Sequence, residues 1–135
     1  MKTLALQSLK VLLLCTGLFL LTSCEQDEDE AYGRLVRYFW VGDLGFTDNF
    51  GEPVESGLSF DDSGFGTDEQ CYYNDGYPYA TLPFRWMLYD GTLSLDYGNK
   101  YPLLEIRGLY VGVDELSGSL YINGQYWDHI SLYRY

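Results

Sequence analysis

Few residues of this 135-residue chain are of the kinds that most often carry chemistry. It has one histidine, three cysteines and eight Lys and Arg side chains. The eight bases face 20 acids, for a net charge of −12. Phosphate backbones are gripped by Lys and Arg, so no nucleic-acid partner is expected. Cys15 lies inside a leading apolar stretch and Cys24 ends it, which leaves Cys71 alone. No internal disulfide staples the fold, and Cys71 reads as a small buried hydrophobe. His129 adjoins Asp128, and a Cys71–His129–Asp128 nucleophilic set is chemically conceivable. Nothing in the spacing supports it; a lone strand histidine is usually an outward side chain. Two carboxylates at fixed separation in a deep cleft, as glycoside hydrolysis needs, are hard to house in so short a chain. We therefore assign no catalytic residue, expect no cofactor and read the protein as a non-enzyme. Long apolar runs are also missing. Val11–Cys24 is the uncharged segment, and it falls short of the roughly 20 residues that span a bilayer.

The leading segment nonetheless has a form of its own. Lys2 and Lys10 precede the apolar run "VLLLCTGLFLL", as in secretory signals. The run ends in "LTSC", Leu21 to Cys24: an aliphatic residue, two small ones and a cysteine. This resembles a bacterial lipoprotein lipobox. The resemblance implies a signal peptide over 1–23, a diacylglyceryl group on the Cys24 thiol, and acylation of the new amine. Acyl chains contribute about 0.8 kcal/mol per buried methylene, so several chains hold firmly. Then comes "EQDEDE". Dense like charge resists collapse, and residues 24–33 read as a solvated tether. The run Glu25, Asp27, Glu28, Asp29 and Glu30 also resembles the surface-export signal of Bacteroidota lipoproteins. That resemblance implies a lipid-anchored protein on the outer face of a Gram-negative outer membrane.

Without residues 1–23, 112 residues remain with six bases and all 20 acids, about −14 in charge. That length suits one modest domain, over 34–135. No good helical period follows Cys24. Gly, Asn and Asp recur every eight to twelve residues, the punctuation of short antiparallel strands. "RLVRYFW" (Arg34–Trp40) reads as a first strand. "GLSF" (57–60) and "EQCYY" (69–73) flank the loop "DDSGFGTD". "FRWMLY-DG-TLSLDY" and "SGSLYI-NG-QYWDHISLY" read as hairpins, because Asp-Gly and Asn-Gly accept the positive φ of type I′ turns. Leu93, Leu95 and Tyr97 share one face; Leu116, Gly118, Leu120 and Ile122 share another. Gly108 reads as a bulge in "LLEIRGLYV". Seven or eight meandering strands hide their edges by closing. We expect an all-β, lipocalin-like barrel, with a two-sheet sandwich as the alternative.

"WVGDLGF" (40–46), "GFGTDEQCYY" (64–73) and "FRWMLYDGTLSLDYG" (84–98) together resemble small Bacteroidota surface lipoproteins with a lipocalin-like β domain. The likeness covers most of residues 34–135. Such proteins are mostly of unknown function, so it implies a fold and no active-site residue.

Two clusters remain as candidate sites. Asp61, Asp62, Asp68 and Glu69 crowd one Gly-rich stretch, and oxygen donors on a loop can hold calcium. Their spacing does not fit an EF-hand, and the plainer reading is a solvated turn with no metal. Tyr72, Tyr73, Tyr77 and Tyr79 surround "NDG". Aromatics on both faces of a strand cannot all be inside, so these four read as a platform for a glycan, a peptide or an outer-membrane protein. The sequence thus favours a lipid-anchored surface binding or accessory module. A structural envelope lipoprotein is second and a small hydrolase third.

Overall fold

The computed structural model describes residues 26–135. The expected signal segment and lipobox, with Cys24 and Glu25, lie outside the described residues.

The described residues open with a helix, α1 (Glu28–Arg37), where a tether and a strand were expected. Both sequence expectations are corrected here: residues 28–33 are helical, and the first strand begins only at Trp40. The physical causes are local. Asp27 caps the N-terminus, its carboxylate accepting the Asp29 N–H at 3.1 Å. Glu28, Asp29 and Glu30 fill the first turn and Arg34 and Arg37 the last, matching the helix dipole. Glu30 and Arg34 form an i,i+4 ion pair. Ala31 and Leu35, four apart, are buried. The acidic run therefore has a structural job in addition to any sorting role.

Eight strands follow: β1 (Trp40–Gly42), β2 (Val54–Phe60), β3 (Phe65–Tyr72), β4 (Pro78–Tyr89), β5 (Thr92–Asp96), β6 (Leu104–Val111), β7 (Glu115–Ile122) and β8 (Gln125–Arg134). Each pairs antiparallel with the next, and β8 returns to β1 through Trp40↔Arg134 and Val41↔Tyr133. The sheet is a closed up-and-down barrel of the lipocalin-like kind, with no free edge. Closure rules out the sandwich.

The hairpin chemistry is as the sequence indicates. Asp90 and Gly91 take φ of 50° and 72°, and Asn123 and Gly124 take 50° and 78°. Gly108 has φ 62°, and the β6–β7 register shifts beside it. Gly66 has a packing reason: a Cβ there would lie 2.4 Å from the Phe84 ring, so a larger residue would push that ring out of the core.

Inward side chains fill the barrel. Trp40, Leu58, Leu93, Leu95, Leu104, Ile106, Leu116, Leu120 and Leu132 are all sealed from solvent. The packed rings of Phe60, Phe84 and Trp86 join them. Antiparallel order puts the β2–β3, β4–β5 and β6–β7 connections at one end, with α1. The β1–β2, β3–β4, β5–β6 and β7–β8 connections form the other end, called here the rim.

Candidate functional site

Cys71, His129 and Asp128 do not form a set. Cys71 is on β3 and His129 on β8, with β1 and β2 between them. Asp128 accepts the His129 backbone N–H, not its ring. Cys71 is also not the buried hydrophobe expected; it is half-buried, in an outer groove bordered by Phe39, Glu55, Glu69 and Tyr135. The two-residue alternation of β3 explains this, since Asp68 and Gln70 take the inward positions.

The same alternation disperses the candidate calcium ligands. Asp68 is fully buried inside the barrel, whereas Glu69 points outward. Asp61 is occupied by its own turn, accepting from the Ser63 N–H and hydroxyl and the Phe65 N–H. These donors outweigh partial burial, with the Ser63 hydroxyl leading, and hold the Asp61 carboxyl below its ordinary range. Among the described residues, no three His, Cys, Asp or Glu side chains converge as a metal site.

Asp68 anchors the polar cluster of the interior. It accepts from the hydroxyls of Ser56 (3.0 Å) and Tyr97 (2.9 Å), the Gln70 amide (3.2 Å) and the Gly57 N–H (3.2 Å). Burial pushes its carboxyl up; the four donors pull it down but do not win. Burial, then the Asp68 charge, pushes the Tyr97 phenol up as well. A carboxylate sealed in this way has no path to a substrate, and its work is structural.

The tyrosine cluster lies on the rim. Tyr72 and Tyr79 meet edge to face at 5.6 Å between centroids. The Tyr72 hydroxyl donates to Asp48 at 3.0 Å. The other oxygen of Asp48 accepts the Phe50 and Glu52 N–H groups at 2.8 and 2.9 Å. One carboxylate thus closes the tip of the β1–β2 loop and ties it to the cluster. Burial would raise the Asp48 carboxyl, but these hydrogen bonds outweigh it and hold it low. Burial, then the hydrogen bond to Asp48, raises the Tyr72 phenol. Burial, with the charges of Asp43 and Glu55, pushes Tyr73 up to about 12. The Tyr72 and Tyr73 phenols are therefore neutral donors at physiological pH.

The cluster is not core. Tyr77 is 68% exposed, Tyr73 is half-exposed, and Tyr79 lies at the margin of exposure. The structure adds a member that the sequence reading missed. Phe50, at the tip of the loop held by Asp48, is 96% exposed. "TDNFGE" carries a legible signal for it: a hydrophobic ring between turn formers has little chance of burial. The surface is thus a set of rings braced from below, with Asp43, Asp48, Glu52, Glu55 and Asp75 around them. Such a surface can stack on flat apolar faces, donate hydrogen bonds and attract cations. It repels polyanions.

The fold and rim define a helix-capped eight-stranded barrel with a filled interior and an outward aromatic surface. Compared with protein families, with curated proteins and with solved structures, the chain matches none. No helix among the described residues is long and apolar enough to cross a membrane.

Proposed function

We propose that this protein is a lipid-anchored binding or accessory module of the outer face of a Gram-negative outer membrane. It is held by Cys24 and binds through the Tyr72/Tyr73/Tyr77/Tyr79 rim. The observation that carries the binding role is the exposure of Tyr77 and Phe50 on a loop system braced by the Tyr72–Asp48 hydrogen bond. Exposed rings that are already ordered lose little entropy on binding. The ligand is a neutral glycan, a peptide or a partner outer-membrane protein, and the acidic surround favours neutral or basic surfaces over acidic ones. The filled interior favours a site outside the barrel over a lipocalin-type cavity.

The test has two arms. Cys24→Ala should abolish acyl labelling and leave unprocessed precursor; normal maturation of that variant would end the anchoring reading. The lipidated wild-type protein should bind members of a panel of neutral oligosaccharides and basic peptides. Silence across the panel would favour the second reading, an envelope-maintenance lipoprotein without a small ligand.

A further inference from the structure

Two arginines on the outside of the barrel share one arrangement of ring, base and acid. Arg107 lies 3.8 Å over the Tyr121 ring and meets Glu105 at 3.1 Å. Arg134 lies 4.7 Å over the Tyr38 ring and meets Asp114 at 3.5 Å. The cause is common to both. A guanidinium is planar and weakly hydrated, so it stacks on a ring face while its fork of donors serves a carboxylate.

A third place on the outside has the rings and the acids without the base. Phe39, Glu55, Gly57, Glu69 and Tyr135 line a groove of about 350 Å³ that reaches the rim at Gly76. Strand alternation builds it, with Glu55 and Gly57 outward on β2 and Glu69 and Cys71 outward on β3. Glu55 stands opposite Cys71, so Glu69 is its diagonal neighbour, with backbones roughly 7–8 Å apart. Gly57 lies between them. A Cβ there would come within 2.5 Å of the Phe39 ring, so the missing side chain lets that ring rest on the sheet. The Tyr135 N–H donates to the Phe39 carbonyl at 3.0 Å, and the two rings meet edge to face at 6.2 Å. Among the described residues, neither Glu55 nor Glu69 is in an ion pair. Glu55 is partly buried, and its charge is felt nearby: burial first, then Asp43 and Glu55, raise the Tyr73 phenol.

We infer that this groove takes the guanidinium of an arginine from a basic peptide segment, stacked on the Phe39 and Tyr135 rings and hydrogen-bonded to Glu55 and Glu69. Charge complementarity selects the occupant. A basic group gains both carboxylates, whereas a neutral sugar or an acidic segment leaves them unpaired. The aromatic floor selects arginine over lysine, whose compact ammonium is strongly hydrated. A volume at the small end of ligand sites suits one side chain. The groove uses none of the four rim tyrosines, so the inference goes beyond the rim reading and does not depend on it.

The test uses the full chain and two capped pentapeptides, Gly-Gly-Arg-Gly-Gly and the same peptide with citrulline, the neutral counterpart of arginine. Cys71 borders the groove, so its rate of modification by a maleimide, read by peptide mass mapping, reports occupancy. At roughly millimolar concentration the arginine peptide should slow that modification saturably. The citrulline peptide should need at least about fivefold more for the same protection. Glu55→Gln combined with Glu69→Gln should weaken the arginine peptide by a similar factor and remove the preference over citrulline. Tyr77→Ala should leave the protection as it is. Equal protection of the wild-type protein by the two peptides, or none by either, would overturn the inference. Protection lost in Tyr77→Ala and kept in the glutamine variant would place the peptide on the rim, ending the groove reading and leaving the rim reading standing.

Discussion

The two ends of the barrel are closed by different means. At one end α1 lies across the opening and buries Ala31 and Leu35. Tyr32 packs on Trp86 at 5.2 Å, and its hydroxyl donates to the Asp62 carbonyl. At the rim the β1–β2 loop folds inward. Leu44 is buried, and Phe46 meets Tyr97 and Tyr101 at 5.1 and 6.2 Å. The remainder of that loop is held by carboxylates: Asp43 accepts the Gly45 N–H and Asp48 organises the tip. Closure by a helix hides its apolar residues. Closure by hydrogen-bonded turns leaves rings such as Phe50 and Tyr77 outside. The difference separates an end seated by apolar burial from an end held by turn hydrogen bonds.

That separation predicts a graded set of effects. Leu35→Ala should be the most damaging, at about 2–5 kcal/mol, because it empties the helix seat. Phe50→Ala at the rim should stay within about 0.5 kcal/mol. Urea midpoints would compare them, and equal values would erase the distinction between the ends.

Asp68→Ala comes next, at roughly 1–3 kcal/mol, since it strands donors from Ser56, Gln70, Tyr97 and Gly57. Its pH dependence has a definite sign. The folded-state carboxyl is raised above the ordinary 3.8, so the native state holds the proton more tightly than the unfolded chain. The resulting stability is fully present below 3.8 and is lost as pH rises through the raised value. Asp48 and Asp61, which are held low, act in the opposite direction. The readout is therefore the stability difference between wild type and Asp68→Asn across a pH series. Wild type should lose ground as pH rises from below 3.8; a flat difference would contradict the assignment.

Gln26→Ala should cost about 1 kcal/mol, through two hydrogen bonds to Val111 that it can no longer make. Hydrogen exchange at the Val111 amide should quicken while that at Leu116 holds. Unchanged exchange at Val111 would mean these bonds do not bear on this end.

Most of the barrel was legible because local and global signals agree. Asp90-Gly91 and Asn123-Gly124 set the hairpins, and the stripes Leu93–Leu95–Tyr97 and Leu116–Gly118–Leu120–Ile122 point inward as alternation requires. The helix was not legible. Its apolar face is one i,i+4 pair, Ala31 and Leu35, and β-favouring residues follow directly in "VRYFW". Its stability comes from the cap at Asp27 and from packing on the barrel end, which a short window does not reveal. Asp68 was misplaced for a related reason: "GTDEQ" is polar throughout, so nothing in it marks the inward position. The tyrosine platform was legible as composition, whereas its brace, the Asp48–Tyr72 contact across 24 positions, depends on the register of β2 against β3.

The smallest effect on stability belongs to the rings themselves, and it bears on the central claim. The measurement is melting temperature and ligand affinity, side by side, for Tyr77→Ala and Tyr79→Ala, using whichever panel oligosaccharide or basic peptide the wild type binds. The account predicts a melting temperature within about 2 °C of wild type, as exposed sites allow, with affinity lowered by about tenfold or more, the usual loss at an aromatic hot spot. A marked fall in melting temperature with affinity unchanged would make these tyrosines part of the scaffold and leave the rim without a binding role.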